Sequence, residues 1–507
     1  MAPRRRAELY KPLLLSTTMR NPERMRPFLT VFKAFDGQTL TDDLCHSIEG
    51  ELIRKGLYQP MRKSDEVKRK WSEGELLSDD EVETMLEDNP QDHGEAGFAK
   101  GWPSRFDTHF KLMKWFGFVF YRSGEPIRFS DLGNMFVETA ETTQEQAGYK
   151  YDEELIFLNA FVKYHRRNPF QRVLNHNRPL ILLIQTILEL ESRPENYTPG
   201  ISRRELPFLL VWRDGDYKEL ADFILAFREK WGFAASDENV FEACEQVNKG
   251  WHATMKMKTV VQEEPDEILR KFRLTGLISL RGEGRFVSCN RDKQDLIDYV
   301  LHNYSELLTF STEEEYFEFA SSVDAELTGL AEKPVVHDLE SENQQLQRWV
   351  SHFGHDAIRQ ELVKLARRRQ SGDTVLKLIP NPLRLEFLAT LLLKAKSPSA
   401  NVVGHYRADD EGFPISHAPG NTADIEVFEG TRVTLYEVTL MTGRVQVHQE
   451  LVPITRHLKD RMQTNPDSSM YFVAPVIHPD ADQYVRFLEF EGKLAITNLT
   501  IEEFAAA

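Results

Sequence analysis

The chain has 507 residues and a formal net charge of −17 at pH 7, with 41% hydrophobic and 28% charged residues. This composition excludes a fibrous or disordered protein, and the length predicts two to four domains. A charge this negative argues, taken in bulk, against a polyanionic partner.

The N-terminus is basic at Arg4, Arg5 and Arg6, but the apolar stretch after it is only a few residues long, so secretion is not expected. Three cysteines, Cys45, Cys244 and Cys289, stand singly and fit neither a disulfide framework nor a zinc site, which agrees with a cytoplasmic protein. Further basic runs occur at Arg62, Lys63, Lys68, Arg69 and Lys70, at Lys163, Arg166, Arg167 and Arg172, and at Arg367, Arg368 and Arg369. Each alone reads as a solvated helix face; together they leave room for a local positive surface. Acidic residues crowd the stretch 73–92, read as a solvated insertion, and Glu313, Glu314 and Glu315 mark a capped helix start.

Residues 106–136 predict a helix, an aromatic strand, a turn at Ser123-Gly124, a second strand and a helix opening at Asp131; residues 265–301 predict the same order around Gly282-Glu283-Gly284. That order fits a winged helix, and on pattern alone it fits a plain α+β core with no ligand equally well. Between them residues 179–190 form the longest apolar run, too short for a bilayer and broken by Gln185, hence a buried helix and no membrane span. From Ala325 to about Ile379 the chain reads as polar and helical, a spacer. Beyond Pro380-Asn381-Pro382 the order helix, hairpin, helix, strand, helix, strand, helix predicts an α/β sandwich. The expected fold is therefore multidomain α+β. Its divisions are 1–150 and 151–324 as two winged-helix-like subdomains, 325–378 as a helical linker, and 379–507 as an α/β domain.

The chemistry concentrates in the last of these. Asp424 opens one strand and Glu437 sits in the next, thirteen residues on, a hairpin spacing that brings both carboxylates to a single hard cation. Mg²⁺ needs one or two carboxylates, with water and phosphate oxygens completing the shell. Apolar neighbours make an unpaired acid in these strands costly. Glu386 lies on an otherwise apolar helix, while Glu450 and His457 are seven apart and share a helix face. An Asp followed on the next strand by Glu-x-Lys is the PD-(D/E)XK nuclease pattern; here Thr439 stands in place of the lysine.

Taken together, LEFLATLLL (385–393), DDEGFPISHAPGNTADIEV (409–427), YEVTLMTGRVQVHQE (436–450), PITRHL (453–458) and MYFVAPVI (470–477) resemble the catalytic domain of the AlwI-type family of type IIS restriction and nicking endonucleases. Upstream, 19–37, 115–136 and 272–298 resemble the start and the two recognition subdomains of that family. The resemblance implies an active site of Glu386, Asp424, Glu437, Glu450 and His457, with Asp424, Glu437 and the Val438 carbonyl holding one or two Mg²⁺ ions. It also implies that Thr439 is tolerated at the lysine position. The implied substrate is a short asymmetric sequence in double-stranded DNA, cut outside that sequence to leave 5′-phosphate and 3′-hydroxyl ends. Alternatives are a strand-specific nicking enzyme, the large subunit of a heterodimeric enzyme, or a non-cleaving DNA-binding regulator. Double-strand cutting then needs a transient homodimer or a small catalytic partner subunit.

Overall fold

The computed structural model describes residues 8–15, 22–92, 94–95, 97–141, 153–171, 173–196, 198–248, 255–332, 338–417 and 422–506. The basic residues Arg4, Arg5, Arg6 and Arg172, and the motif residues 19–21 and 418–421, lie outside the described residues. No helix among the described residues is long and apolar enough to cross a membrane. The chain divides into two compact units. One takes in Gln91–Glu141 and Lys150–Pro334 with the chain up to His46; the other takes in Ser47–Pro90 and Val335–Ala507.

In the first unit the helix Trp102–Trp115 leads into an antiparallel pair, Val119–Phe120 with Arg128–Phe129, and then the helix Asp131–Glu141. The helix Glu264–Arg273 leads likewise into Ile278–Arg281 and Phe286–Cys289, followed by Gln294–Tyr304. Both runs follow the order expected from the sequence. The second gains a strand that was not expected, Ile201–Ser202, which pairs with Phe286–Cys289. Aromatic side chains form much of this unit's core: Phe106, Phe110, Phe116, Phe118 and Phe136 are all almost completely buried. The helix Pro179–Ser192 is buried along most of its length, as its composition requires.

The second unit takes in the end of the helix Asp42–Arg54 and then two short helices, α1 (Asp65–Ser72) and α2 (Asp79–Asp88). The acidic stretch forms α2 because Ser78 and Glu81 close a capping box and three acids sit at the positive end of the helix dipole. Its Val82 and Met85, one turn apart, are buried, so the segment is a packed helix with a solvated acidic face. Next come α3 (Leu339–Phe353) and α4 (His355–Ala366), which pack on α5 (Asn381–Lys396). Pro382 at the head of α5 lacks only a hydrogen bond that the first turn does not make.

Five strands follow: β1 (Asn401–Gly404), β2 (Ile425–Glu429), β3 (Arg432–Val438), β4 (Ser469–Ala474) and β5 (Ile496–Thr500), lying side by side in that order. The first three are antiparallel and the last three parallel, joined by α6 (Val452–Thr464) and α7 (Pro479–Gly492), with α8 (Ile501–Ala506) ending the chain. Alternation along β3 assigns the faces. Val433 and Leu435 join Leu451, Ile454 and Leu458 beside α6 and Val485 and Leu488 of α7 in one core. On the opposite face Tyr436 stacks on Tyr471 and meets Phe504 of α8. This is the expected α/β sandwich.

Candidate active site

The register of the central hairpin builds the site. Tyr436 lies opposite Ile425, which carries Asp424, one residue before β2, to the position across from Glu437. Directly opposed residues project to the same side of a sheet, so the two carboxylates face one another. The Val438 amide donates to Asp424 Oδ2 at 2.8 Å and fixes that carboxylate. Immediately after β3, the Thr439 hydroxyl donates to Glu450 Oε1 at 3.0 Å and accepts from the Met441 amide. The loop between Thr439 and Glu450 is held by Gln446, fully buried, whose amide donates to the Met441 and Val476 carbonyls and accepts from the His478 amide.

Two histidines reach into the cluster. His457 on α6 places Nδ1 2.7 Å from Glu437 Oε1. His417, just past the short strand Pro414–Ser416, places Nδ1 2.5 Å from Glu386 Oε1. Glu386 comes from the middle of α5 and is buried, and its second oxygen lacks a hydrogen-bond partner among the described residues. All five residues expected from the sequence thus meet in one place, with Val438 beside them.

The electrostatics follow from crowding acids in a dry environment. Burial raises the Asp424 carboxyl well above its ordinary range, the Glu386 and Glu450 charges push it further, and the Val438 amide and His417 oppose the shift. Glu437 is raised well above its ordinary range by burial first, then by Asp424, Glu450 and Glu386. Glu450 is pushed up to about 7, mainly by burial, with the Thr439 hydroxyl pulling the other way. Burial lowers His457, which keeps its ring neutral.

Among the described residues no lysine or arginine pairs with any of the four acids, whose ion pairs are with His417 and His457. By contrast Glu426, two residues from Asp424, lies against His405 and is held by Arg461 through both of its oxygens, and the two together bring it below its usual range despite its burial. No group of three or more His, Cys, Asp or Glu among the described residues forms a ready-made metal cage. What the site offers is a facing pair of hard oxygen donors with no lysine or arginine among the described residues paired to them. That donor set fits Mg²⁺, which keeps several of its waters.

Sequence reasoning missed His417 and the pairing of Glu426 with Arg461. The signal for His417 was weak: it stands in the stretch 397–422, read as an irregular loop, and its partner lies 31 residues earlier.

Facing strand carboxylates, a third acid poised near neutrality and an α/β sandwich to carry them are the equipment of a nuclease. The chain belongs to the AlwI restriction endonuclease family, whose model matches residues 114–352 and 337–506. Among solved structures, it is similar to the small subunit of the heterodimeric restriction endonuclease R.BspD6I, at 23% identity over 29% of this chain and 74% of that one, with a TM-score of 0.24. It is also similar to the restriction endonuclease FokI, at 12% identity over 99% of this chain and 95% of that one, with TM-scores of 0.24 for FokI alone and 0.21 for FokI bound to DNA. No curated protein matches.

Proposed function

We propose that this restriction endonuclease is a type IIS enzyme. It binds a short asymmetric sequence in double-stranded DNA and, with Mg²⁺, hydrolyses a phosphodiester outside it to leave 5′-phosphate and 3′-hydroxyl ends. The observation that carries this reading is the placement of Asp424 across from Glu437, with Glu450 hydrogen-bonded to Thr439 beside them. Asp424, Glu437 and the Val438 carbonyl would hold one or two Mg²⁺ ions. Bound there, the metal supplies a more acidic water and offsets charge on the scissile phosphate.

The remaining work falls to side chains. Glu450, raised to about 7, is partly deprotonated at neutral pH and accepts a proton from the attacking water. His457, buried and neutral, donates Nδ1–H to Glu437 and keeps that carboxylate turned toward its partner. Thr439, in the place of the usual lysine, orients Glu450. The recognition half would supply phosphate and base contacts apart from the cutting site.

The test is incubation of supercoiled plasmid, from several unmethylated sources, with Mg²⁺ or with EDTA. Nicked or linear product is expected with Mg²⁺ alone, and Glu437→Ala should abolish cutting while DNA binding survives. Absence of product with Mg²⁺ at every enzyme concentration rejects the nuclease reading; cutting by Glu437→Ala rejects the residue assignment.

One observation favours a second reading. The described acids form a single site, and a single site cuts one strand. A lone chain then acts as a strand-specific nicking enzyme or as a large subunit, and double-strand cutting requires a second copy or a small catalytic partner. Accumulation of open circles that never convert to linear DNA, whatever the enzyme concentration, distinguishes nicking.

A further inference from the structure

The connection from β3 to α6 carries Glu450, and it is gripped by segments far away in the chain. The Thr442 hydroxyl donates to the Ser72 carbonyl at the end of α1, at 3.0 Å, and accepts from the Arg368 guanidinium just past α4, at 3.3 Å. Both bonds can form together because a hydroxyl has one proton and two lone pairs. The backbones interlock as well. Gly443 and Gly74 both have a positive φ, of 83° and 74°. A methyl group added to Gly443 would stand 3.2 Å from the Glu73 carbonyl oxygen, and one added to Gly74 would stand 3.3 Å from a Val445 methyl group. Glycine on both sides lets the two turns approach this closely at these angles.

The support on the α1 side is itself well anchored. The Trp71 indole donates to the Ile53 carbonyl at 3.0 Å and its ring lies against Gly56. Lys70 pairs with Glu81 of α2 at 2.6 Å, and Arg54 donates to the Leu77 carbonyl at 2.8 Å. All of these residues belong to the same compact unit as the acids. The acidic stretch expected to be a solvated insertion therefore opens, at Glu73 and Gly74, as one wall of the loop that delivers Glu450.

We propose that Thr442 is a positioning residue for cleavage: clasped by α1 and Arg368, it holds the loop so that Glu450 stays on Thr439 and faces the attacking water. The proposal rests on the reading of Glu450 as the proton acceptor. Glu450 meets Thr439 at 3.0 Å, and displacing such a group by about 1 Å can slow a reaction by about 10²-fold. Gln446 ties the same loop to Val476 and His478, so the two restraints act on it from different neighbours.

The test is single-turnover cleavage of plasmid by the full-length chain with Mg²⁺. Thr442→Val keeps the shape of the side chain and loses both hydrogen bonds. It should lower the rate at saturating enzyme by about 10- to 10²-fold. The enzyme concentration giving half that rate, and the affinity measured by gel shift in Ca²⁺, should not change. Thr442→Ser, which keeps the hydroxyl, should recover most of the rate. In a Glu450→Gln background the valine substitution should slow the residual cleavage by less than about threefold, because a residue that acts through Glu450 then has no base left to place. Gly443→Ala, which forces the two turns apart without touching the hydroxyl, should slow cleavage as Thr442→Val does, and it provides the measurement if the valine variant fails to fold. Equal slowing with and without Glu450, no slowing by either variant, or a serine variant as slow as the valine one overturns the positioning role and leaves the nuclease reading intact. Cleavage by Glu450→Gln at the wild-type rate overturns the choice of base and this role with it. Failure of the wild-type chain to cut overturns the nuclease reading as well.

Discussion

Glu450 illustrates how one carboxylate trades stability for chemistry. Its folded value of about 7 lies above the 4.5 of the free side chain, so its contribution to stability is complete below about 4.5 and is lost as pH rises through 7. Glu450→Gln removes a buried group that must otherwise ionise. In EDTA the variant should gain on the order of 1–3 kcal/mol over wild type at about pH 8 and close to nothing at about pH 5, read by urea denaturation. Its cleavage rate should fall by about 10²- to 10⁴-fold. A stability difference that does not change between the two pH values would contradict the assignment of the shift to Glu450. At this scale the hairpin acids were legible in the sequence because a thirteen-residue spacing leaves little freedom in where a strand–turn–strand places its ends. His417 was not, because its meeting with Glu386 depends on how α5 packs against a loop with no periodic pattern of its own.

Among the elements, the connection from β3 to α6 determines whether Glu450 reaches Thr439. Gln446 is its staple: replacing it with leucine leaves the Met441 and Val476 carbonyls and the His478 amide without their partner in a buried place. Gln446→Leu should cost about 3 kcal/mol in urea denaturation. At temperatures where it stays folded, cleavage should fall while DNA affinity holds. A variant with wild-type stability would show that the loop is braced elsewhere. The sandwich itself was readable from alternation and from turn residues, since β2, β3 and β4 are flanked by such signals. The edge strand β1 was not: Asn401–Gly404 is four residues long, ends in glycine and pairs with β2 alone. The small hairpin of Arg407–Ala408 with Pro414–Ser416 was hidden for the same reason, within a stretch rich in glycine and proline. The polar helices α3 and α4 gave no sign in the sequence that they would pack on α5, because their apolar stripes do not identify a partner.

For the whole molecule, a charge of −17 argued against a nucleic-acid partner, and membership of a restriction endonuclease family reverses that inference. The distribution of cations explains how both can hold, and it refines the list of basic runs. Several are already consumed within the protein. Lys163 is buried and donates to the Ser322 carbonyl, and the Arg166 guanidinium donates to the carbonyls of Lys11 and Pro12. On the surface, Lys68 pairs with Asp65, Arg69 with Glu66 and Glu73, and Lys70 with Glu81. Exposed pairs of this kind are held by at most about 1 kcal/mol and can be exchanged for a phosphate; buried ones cannot. Arg369, exposed just past α4, has its backbone amide on the Lys364 carbonyl and its side chain in solvent. Each phosphate contact releases counterions, so the slope of log affinity against log salt counts the cations engaged. Between about 50 and 200 mM salt, binding of a cognate duplex, followed by fluorescence anisotropy, should weaken by orders of magnitude despite the acidic total. Arg369→Gln should reduce the slope by about one, with little effect on stability. Arg166→Gln should leave the slope unchanged and lower the melting temperature, because its guanidinium organises the interior. If the two variants exchange these effects, or if Arg369→Gln binds with the wild-type slope, the cations that meet DNA are not the ones the fold leaves free.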